Sequence, residues 1–494
     1  MKVQYSSEPG LKAAGTRRDL HSFLQELESR NPTAVLRICK PLDTRYEITA
    51  LQRKLDRAKR YPVIVVEKPI TYEGTVSQFP LVTNVTASRE LCAATLGMDP
   101  RRVAEQYYAR MVGRLEPVLV GRSEAPCKEV IQTENINLWE FPVTIHTEMD
   151  PGPYIGTSFV TTIDPETGID NIALQRIWVK SPARTGFWPA LGGHNWSNLQ
   201  KWWAQGKDMP VAIWIGHHPA GMAGAQVRLG YPESHYPAMG GVMQEPVRLV
   251  PSELFGDQIL VPADAEIVME GYVPAGVIEA EGPFGEYPGY IGPQRPSPVI
   301  EVKCVTRRRQ PIYHDVGVGL ADHLMMMGNF PLEARIYDLA KRAVPEVINV
   351  HVPLSGRRNH VYVQVRKTRP GIGRDVILSA LTADTRLKHI FVVDEDIDIF
   401  NEEEVLWAVA YRSQWDKDVV VIRDMATFPL DPSLSAPGYT GAKGGIDCTM
   451  PPPLGPGLPR PFQQTNHPPA DVDERIRLED FVTPEQMGKF PGQT

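Results

Sequence analysis

The sequence predicts a multi-domain α/β protein, and three observations carry that prediction. Helical and strand-like apolar patterns intermix up to about residue 125. Glycine and proline then thicken and helical periodicity thins from about 130 to 310, and a strand–helix alternation returns after about 315. The 494 residues are too many for one small core and suit two or three packed domains.

In residues 1–125, Asp19 is placed to cap a helix with Leu20, Phe23, Leu24 and Leu27 on one face. Val63–Val66 reads as a strand. Ser88 opens a helix that stops at Gly97, and Asp99-Pro100 starts another ending near Gly113, since proline suits a first helical turn. Residues 126–315 hold short apolar runs, Val211–Ile215 and Val299–Val305, among long loops, with Trp196–Trp203 as a short helix. In residues 316–450, Pro331–Val344, Arg374–Thr382 and Glu402–Tyr411 read as helices. His360–Val365, His389–Val393 and Val419–Ile422 read as strands, a βαβ rhythm that implies a largely parallel sheet. Within 451–494, the proline-rich stretch 451–470 is expected to be an extended arm, with Ile476, Leu478 and Phe481 docking on a neighbouring subunit.

Composition narrows the class. Lys and Arg total 52 against 59 Asp and Glu, a formal charge of −7, which argues against broad nucleic-acid binding. An anionic substrate must therefore be drawn by a local cluster of cations. The five cysteines are scattered, giving neither a zinc knuckle nor a CxxC pair, and read as reduced thiols. No signal-peptide pattern opens the chain and no apolar run has membrane-spanning length, so a soluble, cytoplasmic protein is expected.

Three constellations could carry chemistry. In Glu281-Gly-Pro-Phe-Gly-Glu286, a straight strand would point the two carboxylates to opposite faces, but the intervening residues should break it and turn both towards one pocket. Paired carboxylates raise each other's pKa and make one a proton donor near neutral pH; the alternative is a solvated turn with two surface glutamates. Asn171, Arg176, His194 and Glu233 form the second group. An amide oxygen, an imidazole and a carboxylate can bind Mg²⁺ or Mn²⁺, and Arg176 can grip a carboxylate, although the spacings follow no short metal motif. Gly216-His-His-Pro219 is a competing metal candidate. Third, Lys388 before the strand His389–Val393 could bind phosphate, and Asp394–Asp398 is either a metal cluster or a solvated strand exit. The glycine-rich run Gly438–Gly445 lacks Walker spacing and is not expected to bind a nucleoside triphosphate.

From about Asp19 to Asp447 these segments resemble the UbiD family, which includes the ferulic acid decarboxylases. The likeness lies in Asp19–Leu27, Thr83-Asn84, Ser88-Arg89-Glu90, then Asn171, Arg176, His194 and Glu233 in order. It continues in Glu281-Gly-Pro-Phe-Gly-Glu286 followed by Gly289-Tyr290, and in Lys388, Asp394–Asp398 and Trp407. The resemblance implies a central FMN-binding split β-barrel between two α/β domains, and a prenylated FMN held by its phosphate through Mn²⁺ or Mg²⁺. It further implies Asn171, His194 and Glu233 as metal ligands and Lys388 as a phosphate ligand. K⁺ would sit beside the metal near Met222–Ala225, and Arg176, Glu281 and Glu286 would form the catalytic network. In these terms Arg176 orients a substrate carboxylate, Glu286 returns a proton after CO₂ leaves, and Glu281 buttresses Arg176.

Partners implied are a carboxylic acid substrate, CO₂, a UbiX-type prenyltransferase that supplies the cofactor, and further copies of the chain. Gln175 and Gly193 depart from the aromatic and polar or basic residues often found there in the family, which bears on substrate rather than chemistry. Met325, Met326, Met327 and Asp431–Ala436 are expected on the substrate side. Two other classes compete: an ordinary FMN redox protein reducible by a nicotinamide donor, and a non-catalytic assembly scaffold, which would have no use for a charged pocket.

Overall fold

The computed structural model describes residues 18–326, 328–434, 440–466 and 468–487. Asp19 caps the helix Leu20–Arg30 reciprocally: its carboxylate accepts the Ser22 amide at 2.8 Å, and its own amide donates to the Ser22 hydroxyl at 2.9 Å. Leu20, Phe23 and Leu24 are buried. Ser88 caps Arg89–Leu96, which Gly97 ends in the left-handed region. The helix expected from Asp99 starts later, at Val103. The Asp99 carboxylate accepts the Arg101 amide two residues on, so this segment is a turn and not a first helical turn.

The first sheet orders Val35–Ile38, Val63–Val66, Leu81–Thr83 and Tyr313–His314. Its last strand arrives from far along the chain and lies parallel to Leu81–Thr83. Buried Asp322 reinforces the junction by accepting the amides of Asn84 and Thr86, each at 3.0 Å.

The central region is a closed six-stranded barrel. Arg184–Gly186, Asp170–Ser181, Tyr154–Ile163, Met209–Ile215, Ile267–Val273 and Arg295–Arg307 pair in turn, and Arg184–Gly186 closes the ring by bonding Arg295–Arg307. Closure leaves no edge, and Tyr154–Ile163 is buried along its whole length. The tryptophan-rich helix runs His194–Ala204, beginning two residues earlier than expected, so His194 opens it.

The third sheet orders Val347–His351, His360–Val365, His389–Asp394, Thr440–Cys448 and Val419–Ala426. It is mixed rather than largely parallel: the inner pairings are parallel and the two outer ones antiparallel. Among the described residues, the helix Ile372–Leu381 joins the parallel strands His360–Val365 and His389–Asp394, and the helix Glu402–Arg412 leads from His389–Asp394 to the edge strand Val419–Ala426. The glycine-rich run becomes a strand from Thr440, and a Cβ on Gly444 would lie 1.9 Å from the Val420 carbonyl oxygen. Residues 451–466 form neither helix nor strand, and Ile476, Leu478 and Phe481 are exposed. No helix among the described residues is long and apolar enough to cross a membrane.

Candidate active site

Glu281 ends the strand Ile278–Glu281, and Gly282 follows at φ +84°, which glycine adopts freely. The chain then re-enters a two-residue strand, Phe284–Gly285, so Glu286 faces the same side as Glu281. Between them lies Arg176. Its Nε and Nη2 donate to Glu281 at 3.1 and 2.7 Å, and its Nη1 pairs with Glu286. All three side chains are buried, and the rings of Trp188 and Phe284 lie 4.4 and 5.0 Å from the guanidinium. The Tyr154 hydroxyl donates to Glu281 at 3.3 Å and fixes that carboxylate from behind. Burial, opposed by Arg176 and assisted by Glu281, pushes Glu286 up to about 7.

Arg176 and Glu286 border a cavity of about 350 Å³ that Asn171, His194, Trp188, Phe428 and Leu430 also line, with Glu281 behind the arginine. Asn171 and Arg176 are five apart on one strand, an odd spacing that should send them to opposite faces. The register with Tyr154–Ile163 shifts opposite Arg176, and such an irregularity raises twist and re-aims side chains. Asn171 Nδ2 donates to Asn195, which leaves its Oδ1 facing His194 Nδ1 at 3.2 Å. Burial, then the nearby Arg335 cation, holds His194 below the ordinary imidazole range.

Two predicted residues stand apart from this cavity wall. Glu233 pairs with Arg114 and accepts the Gly230 amide at 3.2 Å, its side chain 40% exposed. Lys388 meets Asp431 at 2.8 Å and Ser433 at 2.6 Å in an adjoining cavity of about 300 Å³. The competing histidines are structural: His218 accepts the Ala220 amide as a helix cap, and His217 packs against Trp214. Asp394 is spent on Arg412 and Arg460. Met325 is core; the Met326 side chain, Met327 and residues 435–436 lie outside the described residues.

Sequence reading missed His235, Arg228, Arg335 and Arg386, all on the cavity wall. His235 stands two residues from Glu233, and its amide donates to Asp170 at 3.2 Å as the helix His235–Met243 begins. Arg386 carried a weak signal, two residues before Lys388.

Three family models of the 3-octaprenyl-4-hydroxybenzoate carboxy-lyase match nearly the whole chain: its N-terminal domain at 25–111, Rift-related domain at 118–321 and C-terminal domain at 325–448. The chain belongs to the UbiD family. A phenolic acid decarboxylase of Sedimentibacter hydroxybenzoicus is 31% identical, over 94% of this chain and 98% of its own length. The UbiD-class enzyme HmfF from Pelotomaculum thermopropionicum, solved in complex with FMN, superposes with a TM-score of 0.84 at 34% identity, over 94% of this chain and 100% of that one. An evolved dimeric form of HmfF in complex with prFMN gives 0.82 at 32% identity, over the same shares. As a UbiD protein the chain is a carboxy-lyase, and its fold is that of the family.

The residues present partly fit the metal implied by the UbiD resemblance. Cis donors of an octahedral ion with bonds of about 2.1 Å stand about 3 Å apart. The 3.2 Å between Asn171 Oδ1 and His194 Nδ1 suits that, and Asn195 orients the amide as an outer partner would. Glu233 on Arg114 does not complete the set as placed, and among the described residues no three His, Cys, Asp or Glu side chains are grouped to hold a metal.

Proposed function

We propose that this UbiD protein catalyses the reversible, non-oxidative decarboxylation of an aromatic, heteroaromatic or α,β-unsaturated carboxylic acid with prenylated FMN. The supporting observation is a buried arginine between two glutamates, one with its pKa pushed up to about 7 by burial, on the wall of an aromatic-lined cavity. When bound, the prenylated flavin supplies the electron sink that a carbon losing CO₂ requires. Arg176 keeps Nε and Nη2 on Glu281, and a substrate carboxylate would take its place at Nη1 beside or instead of Glu286. Trp188 and Phe284 keep water from that contact. Glu286 delivers the proton that replaces CO₂ on carbon, and Glu281 compensates Arg176 once the carboxylate is gone. Protein co-expressed with a UbiX-type prenyltransferase should carry prenylated FMN by absorption and mass spectrometry, and should release CO₂ from at least one acid of a broad panel. Failure of the loaded protein on every acid would refute the reading.

Asn171 and His194 would hold a Mn²⁺ or Mg²⁺ ion that neutralises the flavin phosphate, with Glu233 joining once Arg114 releases it and K⁺ near Met222–Ala225. Lys388 would reach phosphate only by leaving Asp431. His194→Ala is expected to purify with reduced metal and flavin, and Glu233→Ala likewise; full occupancy of both in either variant, by metal analysis and flavin absorbance, would reassign that residue. The exposed segment around Ile476 and Phe481 is proposed as a docking element within a homodimer or larger homo-oligomer, and the three-domain division near 125, 315 and 450 as the unit plan.

Gly193 faces the cavity, and a Cβ there would come within 3.1 Å of the Ala190 carbonyl oxygen. Gly193→Gln is expected to narrow the slot and lower kcat/KM for bicyclic acids more than for monocyclic ones. Equal losses across a panel graded by ring size would show that Gly193 does not shape the slot.

A further inference from the structure

A second cationic group, with Arg228 and Arg386, also lines the cavity. Asp384, buried, lies 2.8 Å from Arg228 and 3.0 Å from Arg386, and the buried guanidinium of Arg358 stands within electrostatic reach of both arginines. Despite burial, these cations hold Asp384 well below the usual carboxylate range. Among the described residues, Arg386 Nε is buried without a hydrogen-bond partner. A cation excess in a desolvated wall destabilises the fold unless an anion joins it.

The surroundings of Arg386 say what kind of anion this is. The Arg176 guanidinium lies 4.4 Å from the Trp188 ring, Trp188 lies 6.3 Å from Phe428, and Phe428 lies 4.9 Å from the Arg386 guanidinium. Two guanidinium groups thus stand at the two ends of an aromatic stretch of the cavity wall formed by Trp188 and Phe428, along a path that avoids Asn171 and His194. Arg386 and Phe428 also line the adjoining cavity, which leaves room beyond this stretch.

We propose that the substrate carries a second oxyanion, a carboxylate or a phosphate, on the end of its flat body remote from the scissile carboxylate, and that Arg386, backed by Arg228, binds it. This rests on the decarboxylase reading, which assigns Arg176 to the scissile group. Binding separates the two claims. FMN-loaded protein is titrated with benzoate, terephthalate and 4-phosphonobenzoate, read by perturbation of the flavin absorption. At least one dianion is expected to bind about 10-fold or more tighter than benzoate, the scale of a charged hydrogen-bonded contact. Arg386→Gln should erase that preference with little change for benzoate, and Arg386→Lys should restore part of it. The better of the two dianions identifies the group. Benzoate binding as tightly as both dianions to wild-type protein would overturn the proposal without recourse to any variant. Selective dianion binding by a protein that, loaded with prenylated FMN, turns over no acid would leave Arg386 as an oxyanion subsite and remove the decarboxylase reading.

Discussion

Glu286→Gln is expected to retain the fold and the bound flavin while losing turnover by about 10²–10⁴-fold, the usual worth of a positioned general acid. The amide keeps the shape of the carboxyl group and a partner for Arg176, but has no proton to give. The native group is suited to the task because burial, with Glu281 adding to it, pushes its pKa up to about 7 against the pull of Arg176. A carboxyl group raised in this way is protonated below that value and ionised above it. If proton delivery limits turnover, the alkaline limb of the kcat profile should therefore fall through about pH 7, where an ordinary glutamate would already be ionised. Glu286→Asp should keep such a limb while shortening the reach. Glu286→Gln turning over within a few-fold of wild type would remove Glu286 from the mechanism.

Arg176→Ala is expected to damage both stability and activity. Its side chain is 7% exposed and meets Glu281 and Glu286, which are 1% and 8% exposed. Removing the cation leaves two buried carboxylates facing each other, and breaking a buried pair of this kind typically costs about 3–5 kcal/mol. Urea denaturation should show that loss, and protonation of the glutamates at low pH should recover part of it. Arg176→Lys restores a charge but not the fork, so it should rescue stability more than kcat/KM. An Arg176→Ala protein as stable as wild type at pH 8 would mean that the glutamates do not depend on this cation.

What could be read in the sequence was local. Asp19 and Ser88 announced their caps because an N-cap bond spans three residues. The Glu281–Glu286 turn was legible because glycine and proline interrupt a strand whatever surrounds them. Long-range facts were not. Asp384, Arg228 and Arg386 meet only after segments more than 150 residues apart have packed, and no spacing records that. His235 and Glu233 are two residues apart, and which of them faces the cavity depends on where a helix begins. The antiparallel edges of the third sheet are set by which strands pair, and periodicity alone does not rank pairings.

The strand Tyr313–His314 has a consequence for how the chain is made. The first sheet receives this partner for Leu81–Thr83 only after the whole barrel has been synthesised, so its last pairing closes a loop of more than 200 residues. A ribosome that has released only the first 125 residues presents an unfinished sheet, with Leu81–Thr83 as an open edge and without Asp322 to hold Asn84 and Thr86. Vectorial folding, domain after domain from the amino terminus, is therefore closed to this protein at its first unit: that unit waits for the barrel and is completed on its way out. An expressed 1–125 fragment should accordingly be prone to edge-to-edge association, whereas a fragment extended through Asp322 carries the means to finish its own sheet.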